Sequence, residues 1–78
     1  MLTLDAGPTL NWTWDGDEPD HWTVQESDDG VSGWFDRNDV PGGTHTDTGD
    51  PTGEFYRVVG RDAFNVDVTD PSNVVESP

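Results

Sequence analysis

The sequence has no cysteine, no lysine and no isoleucine, and its only cations are Arg37, Arg57 and Arg61. Without cysteine there is no disulfide, no thiolate nucleophile and no cysteine-ligated zinc. Without a basic patch, nucleic-acid backbones and anionic membranes are disfavoured partners. No apolar run approaches the ~20 residues of a membrane-spanning helix. The opening MLTLDAGP lacks the basic stretch and long apolar core of a secretory signal. The expectation is a chain that stays in the cytoplasm or leaves the cell by a route other than its own signal. Bulky aliphatic material is also scarce: Leu, Val and Phe make up 15 of 78 residues, below the roughly 20% at which disorder becomes a concern.

What is present works against disorder. Eight aromatic residues, four of them tryptophan, can each bury on the order of 150–250 Å², and they recur within segments of β-type alternation. The reading is one folded domain over residues 1–78 with a thin, aromatic-rich core. Aspartate outnumbers glutamate 13 to 4 within a formal net charge of −14. A lysine-free, aspartate-heavy surface fits a protein of high-salt cytoplasm, where a Debye length of ~3 Å at 1 M salt shrinks self-repulsion. A GC-rich genome that disfavours lysine and isoleucine codons produces the same bias.

Residues 9–16, TLNWTWDG, put Leu10, Trp12 and Trp14 on one face of an extended chain and Asn11, Thr13 and Asp15 on the other. Turn signals recur at AGP, DGDEPD, SDDG, VPGG, TGDPTG and TDPSN. Between them the alternation predicts strands near 2–5, 9–14, 21–27, 32–36, 44–48, 54–61 and 72–76. No window carries a helical apolar period. In HWTVQES, Trp22 and Val24 share a face, with His21, Thr23 and Gln25 opposite. EFYRVVGRD has apolar groups on both faces, as a central strand does. Seven short strands at this spacing predict an all-β, seven-stranded antiparallel β-sandwich.

An inward Trp12, the Trp22–Val24 pair, the segment Tyr56-Arg57-Val58 and a close at Pro71, Ser72 and Val75 resemble the fibronectin type III family over nearly the whole chain. That resemblance implies a type III-like or immunoglobulin-like sandwich whose working surfaces are loops and edges. The position two residues before Tyr56 holds Glu54 in place of the tyrosine of a tyrosine corner.

Catalytic chemistry has little to stand on, and no catalytic residue, cofactor or metal is expected. His21 falls on the outward face of its strand. His45 and Asp47 share a face, but no nucleophile stands beside them. VPGGTHT lacks the Lys-Ser/Thr ending of a phosphate loop. Three acidic clusters have the oxygen ligands calcium favours: Asp15, Asp17, Glu18 and Asp20; Asp36, Asn38 and Asp39; and Asp67, Asp70 and Asn73. None completes an EF-hand loop, and solvated acidic turns are the simpler reading. A DNA-mimicking role would rest on charge alone, and the carboxylates cluster in turns rather than along one long face. Asn11-Trp12-Thr13 fits the glycosylation sequon, but no sugar is expected without a secretory signal.

The expectation is therefore a non-enzymatic structural or binding module. Type III-like and immunoglobulin-like modules commonly decorate capsids and tails, so by family analogy the chain is a virion decoration protein of a tailed virus. It would be assembled in the host cytoplasm and dock in many copies on a repeated protein lattice. Partner-binding residues should be apolar and exposed, which selects Phe35, Phe64 and the N-terminal strand with Leu2 and Leu4. Pairing of an edge strand with a partner strand is another mode of attachment. The alternative function is a carbohydrate-binding or adhesion accessory module, with Trp34 as the candidate glycan-stacking residue.

Overall fold

A computed structural model describes residues 1–7, 9–48 and 54–76. Seven strands are present: β1 (Thr3–Ala6), β2 (Leu10–Thr13), β3 (His21–Ser27), β4 (Phe35–Pro41), β5 (Thr46–Asp47), β6 (Phe55–Arg61) and β7 (Val75–Glu76). They form two antiparallel sheets, one ordered β1-β2-β5 and the other β4-β3-β6-β7. The architecture is all-β and sandwich-like. Most of the turn expected at TGDPTG lies outside the described residues, as does Pro8 of the AGP turn.

Alternation builds the core. Leu4, Leu10 and Trp12 from the three-stranded sheet meet Trp22, Val24, Tyr56 and Val58 from the four-stranded one, and Leu2 completes the cluster. The rings of Trp12 and Trp14 lie edge-to-face with Trp22, centroids 6.2 and 6.1 Å away, a geometry that matches ring edge to ring face. Trp12 is the expected anchor, with Leu10 buried and Trp14 half-buried beside it.

The fourth strand runs over Phe35–Pro41, later than the expected 32–36. Two features of the chain delay it. Gly30 and Gly33 both take positive φ (75° and 69°), and the Asp29 carboxylate collects the N–H groups of Val31 and Ser32 and the Ser27 hydroxyl. Those bonds hold residues 28–33 in a turn and pull the Asp29 carboxyl down to about 2, the backbone N–H groups of Ser32 and Val31 having the largest effect. DRNDV then forms an edge strand with almost no apolar alternation. It is held by cross-strand polar pairs: Gln25 Nε2 donates to Asp36 Oδ1 (3.0 Å) and Thr23 Oγ1 to Asp39 Oδ1 (2.7 Å). A bulge opposite Val24 and Gln25 gives Arg37 its own place.

The last expected strand, 72–76, is regular only at Val75–Glu76. Before it, side-chain oxygens substitute for a ladder along β6. Thr69 Oγ1 accepts from Gly60 N and Ser72 Oγ from Val58 N, while Ser72 N donates to Val58 O. Asn73 then joins the two sheets. Its Oδ1 accepts from Leu4 N (2.8 Å) and its Nδ2 donates to Leu4 O (2.9 Å). Replacing Asn73 with alanine leaves both half-buried backbone groups of Leu4 unpaired. The expected loss is about 1–3 kcal/mol, read as a lower urea midpoint with an unchanged slope.

Candidate interaction surface

Both faces of the four-stranded sheet are closed. The inner face packs on the core. On the outer face, Thr23, Gln25, Ser27 and Val59 are buried beneath a polar lattice. Arg57 Nε donates to Gln25 Oε1 (2.7 Å), Gln25 to Asp36, and Arg61 Nη1 to Asp36 Oδ2 (2.7 Å), while Arg61 Nε reaches Asp67 Oδ1 (2.8 Å). Arg61 holds the Asp36 carboxyl below its ordinary value, aided by Gln25, and Asp36 in turn raises the Arg61 guanidinium. Arg37 lies on the inner side, paired with Glu26 (3.2 Å) and Asp47 (3.6 Å) and 5.6 Å from the Tyr56 ring centroid. All three arginines are therefore turned to internal partners, and the outward charge is carried by carboxylates.

The residues expected to bind a partner fall into three groups. Leu2 and Leu4, expected to be exposed on a short N-terminal strand, are instead 8% and 2% exposed. A core so poor in aliphatic residues draws in both leucines, Leu4 from within β1 and Leu2 from just before it. Phe35 and Phe64 are exposed, at 49% and 87%. Trp34 is half-buried, and the guanidinium of Arg57 sits 4.4 Å from its ring centroid, covering one face.

Further exposed apolar residues lie outside that expectation, among them Met1, Val31 and Val74 and, flanking Phe64, Val66 at 57% and Val68 at 55%. The alternation of these last two around Asp67 in NVDVT is visible in the sequence, within a segment whose acidic residues dominate it. Asp67 is drawn to Arg61, and Val66 and Val68, one residue to either side, are left in solvent. Together with Phe64 they lie on a turn of fixed geometry. Asp62 Oδ1 accepts from Phe64 N (2.9 Å) and Val66 N (3.1 Å), Asp62 N donates to Val66 O, and Asn65 N donates to Asp62 O. Asn65 takes positive φ (63°), which its short polar side chain tolerates.

His21 ties this turn to β3. Its Nδ1 lies 2.9 Å from Asp20 Oδ2 and its Nε2 lies 3.1 Å from Asn65 Oδ1. Both facing atoms are acceptors, so only the imidazolium, with two N–H groups, donates to both. The hydrogen bond to Asp20 is the largest influence raising the His21 pKa above 6.5; Asn65 and the charge of Asp39 add to it, against the effect of burial. Because the folded value is raised, this contribution to stability is fully present below about pH 6.5 and is lost as pH climbs through the folded value. The difference in urea midpoint between wild type and His21→Gln should therefore narrow with rising pH. A constant difference would mean that the imidazolium is not the bonding form.

His45 does not act with Asp47. Its Nε2 meets Glu18 Oε1 at 2.6 Å, and the same oxygen accepts from Gly43 N at 2.9 Å. The hydrogen bond from His45 is the main reason the Glu18 carboxyl titrates below its usual range. The imidazole caps the aromatic cluster, 5.8 Å from Trp22. Among the described residues neither histidine hydrogen-bonds a hydroxyl, and no three His, Asp or Glu side chains form a metal-binding group. The acidic clusters come apart for a local reason: most of their side chains have their own partners, Asp36 and Asp39 across β3, Asn38 on Asp47, and Asn73 on Leu4. A shallow cleft of about 370 Å³ lies between Met1, Leu2, Trp14, Asp70 and Pro71.

Compared with protein-family models, curated proteins and solved structures, the chain matches none. No helix of the described residues is long and apolar enough to cross a membrane.

Proposed function

We propose that the chain is a non-catalytic structural module of fibronectin type III-like design that decorates a virion capsid or tail, docking in many copies on a repeated protein lattice. The observation that carries this reading is the closure of both faces of the four-stranded sheet: with that sheet occupied by its own side chains and the outer face of the other lined by exposed Thr3, Asp5, Asn11 and Thr13, apolar contact falls to the ends and loops. The strand order supports the type III comparison. β4 pairs with β3 rather than joining β5, which departs from the constant-type immunoglobulin division of four strands and three. One small end-on interface binds weakly, and repetition over a lattice supplies the avidity. Outward carboxylates keep decorated particles mutually repulsive.

The carbohydrate-binding alternative draws less support, because Arg57 occupies one face of Trp34, the side chain it would use. Density-gradient sedimentation of material from the source culture, with mass spectrometry across the fractions, tests the proposal. Migration with particles of virus size is the expected result. Recovery among light soluble proteins alone would end the decoration reading.

A further inference from the structure

We infer that the turn at residues 62–68 is the docking tip, and that its occupant is a protein surface with an apolar pocket rimmed by lysine or arginine. This inference rests on the docking role proposed above and adds the contact residues and the partner's chemistry. Phe64 stands at the tip, 87% exposed, with Val66 and Val68 also more than half in solvent. The backbone beneath them is already ordered. Asp62 holds both ends of the turn, Val68 N donates to Gly60 O, Arg61 bridges to Asp67, and Asn65 is held through His21. A side chain presented on such a scaffold loses little further freedom on binding, and a large aromatic entering a pocket is the usual kind of energetic anchor.

The charge around the tip sets the partner. Asp62, Asp67 and Asp70 belong to the same segment, and Asp20 adjoins through His21. The two cationic groups at the base of the tip are turned to partners of their own: Arg61, 9% exposed, to Asp36 and Asp67, and the His21 imidazolium to Asp20 and Asn65. An apolar centre with an anionic border is complemented by an apolar pocket with a cationic border. A second copy of this chain, also at −14, brings like charge to the contact. Nucleic acid and anionic bilayer do the same.

Photo-crosslinking of the full chain in its source cells tests this, with benzoylphenylalanine placed at Phe64 in one variant and at Phe35 in another. The expected capture at position 64 is a different protein, joined at an apolar residue flanked by lysine or arginine, with no such product from position 35. The captured protein, once purified, should bind Phe64→Ala about tenfold more weakly than wild type. Raising salt from about 0.1 M to about 1 M should weaken it as well. Phe64→Ala should melt with wild type, since the side chain it truncates is in solvent. Capture of a second copy, of a lipid, of a neutral or acidic segment, or of nothing at all overturns the inference.

The outcomes also separate the inference from the reading beneath it. A cation-rimmed partner that is no particle component removes the decoration role and leaves the tip. Particles that carry the protein while position 64 captures nothing remove the tip and leave the decoration role.

Discussion

Replacing Trp22 with alanine is expected to remove about 3–5 kcal/mol, a large part of the protein's whole stability. The side chain is fully buried and stands at the junction of the aromatic cluster, within 6.2 Å, centroid to centroid, of Trp12, Trp14 and His45. It lies across from Gly60 in the β3–β6 register, and a Cβ on Gly60 would come within 3.2 Å of its ring. Thr69 and Pro19 crowd the same position at 2.9 and 3.0 Å, so the indole shares with them the space that the strand glycine leaves. Truncating a buried tryptophan to alanine costs about 3–5 kcal/mol. A 78-residue chain has about 4–12 kcal/mol in all, at roughly 0.05–0.15 kcal/mol per residue. Near-ultraviolet circular dichroism and a urea melt read the result. The half-buried Trp34 is the comparison, and Trp34→Ala should keep a cooperative transition. If Trp22→Ala melts within a few degrees of wild type, the core is not organised around this residue.

The sequence revealed the strands that carry large side chains and obscured those that do not. Trp12, Trp22, Val24, Tyr56 and Val58 announce β2, β3 and β6 because alternation of bulky and polar residues is the physical cause of a half-buried strand. β4 has no such cause. Its residues are fixed by Thr23 and Gln25, which face them only after β3 has paired, so DRNDV reads as an acidic loop until a neighbour is supplied. The segment before β7 is obscured for a related reason, since Thr69, Ser72 and Asn73 bond to backbone groups up to 69 positions away. For the candidate surface, Phe64 was legible as an apolar residue in a turn. Leu2 and Leu4 are as apolar as any docking residue, and only the shortage of other core material, met once the sheets pack, assigns them to the interior.

The arginines bear on the same point. A chain with three cations and 17 acidic residues could have spent its cations on surface pairs, which contribute little. Each is instead placed where two sheet neighbours and a carboxylate or aromatic ring converge: Arg37 between Glu26, Asp47 and Tyr56, Arg57 on Gln25 and Trp34, Arg61 on Asp36 and Asp67. The apolar stems and planar heads of these side chains cover sheet area that aliphatic residues would cover in a richer sequence. That use accounts for a core sufficient for 78 residues with so few leucines and valines, and it leaves the exterior almost purely anionic.

Gly42→Ala is the second large effect, and its neighbour Gly43 makes the argument sharp. Gly43 takes positive φ (85°) with open space around its Cβ position, whereas a Cβ on Gly42 would lie 2.1 Å from the Pro19 carbonyl oxygen and 3.2 Å from that of Asp20. Both obstructing atoms are backbone, so the 14–20 segment and the turn after β4 would have to separate. Separation strains the Gly42 N to Asp20 O bond and the two bonds that Glu18 accepts from Gly43 and His45. Overpacking alone costs about 1–3 kcal/mol, and each weakened hydrogen bond adds about 1 kcal/mol. Gly43→Ala carries only the strain of a left-handed alanine, about 1–2 kcal/mol. Urea unfolding should therefore rank Gly42→Ala as the more damaging change, although Gly43 holds the unusual backbone angle. The reverse order would mean that the close approach of Pro19 relaxes at little cost, and that backbone conformation rather than contact dictates glycine in this turn.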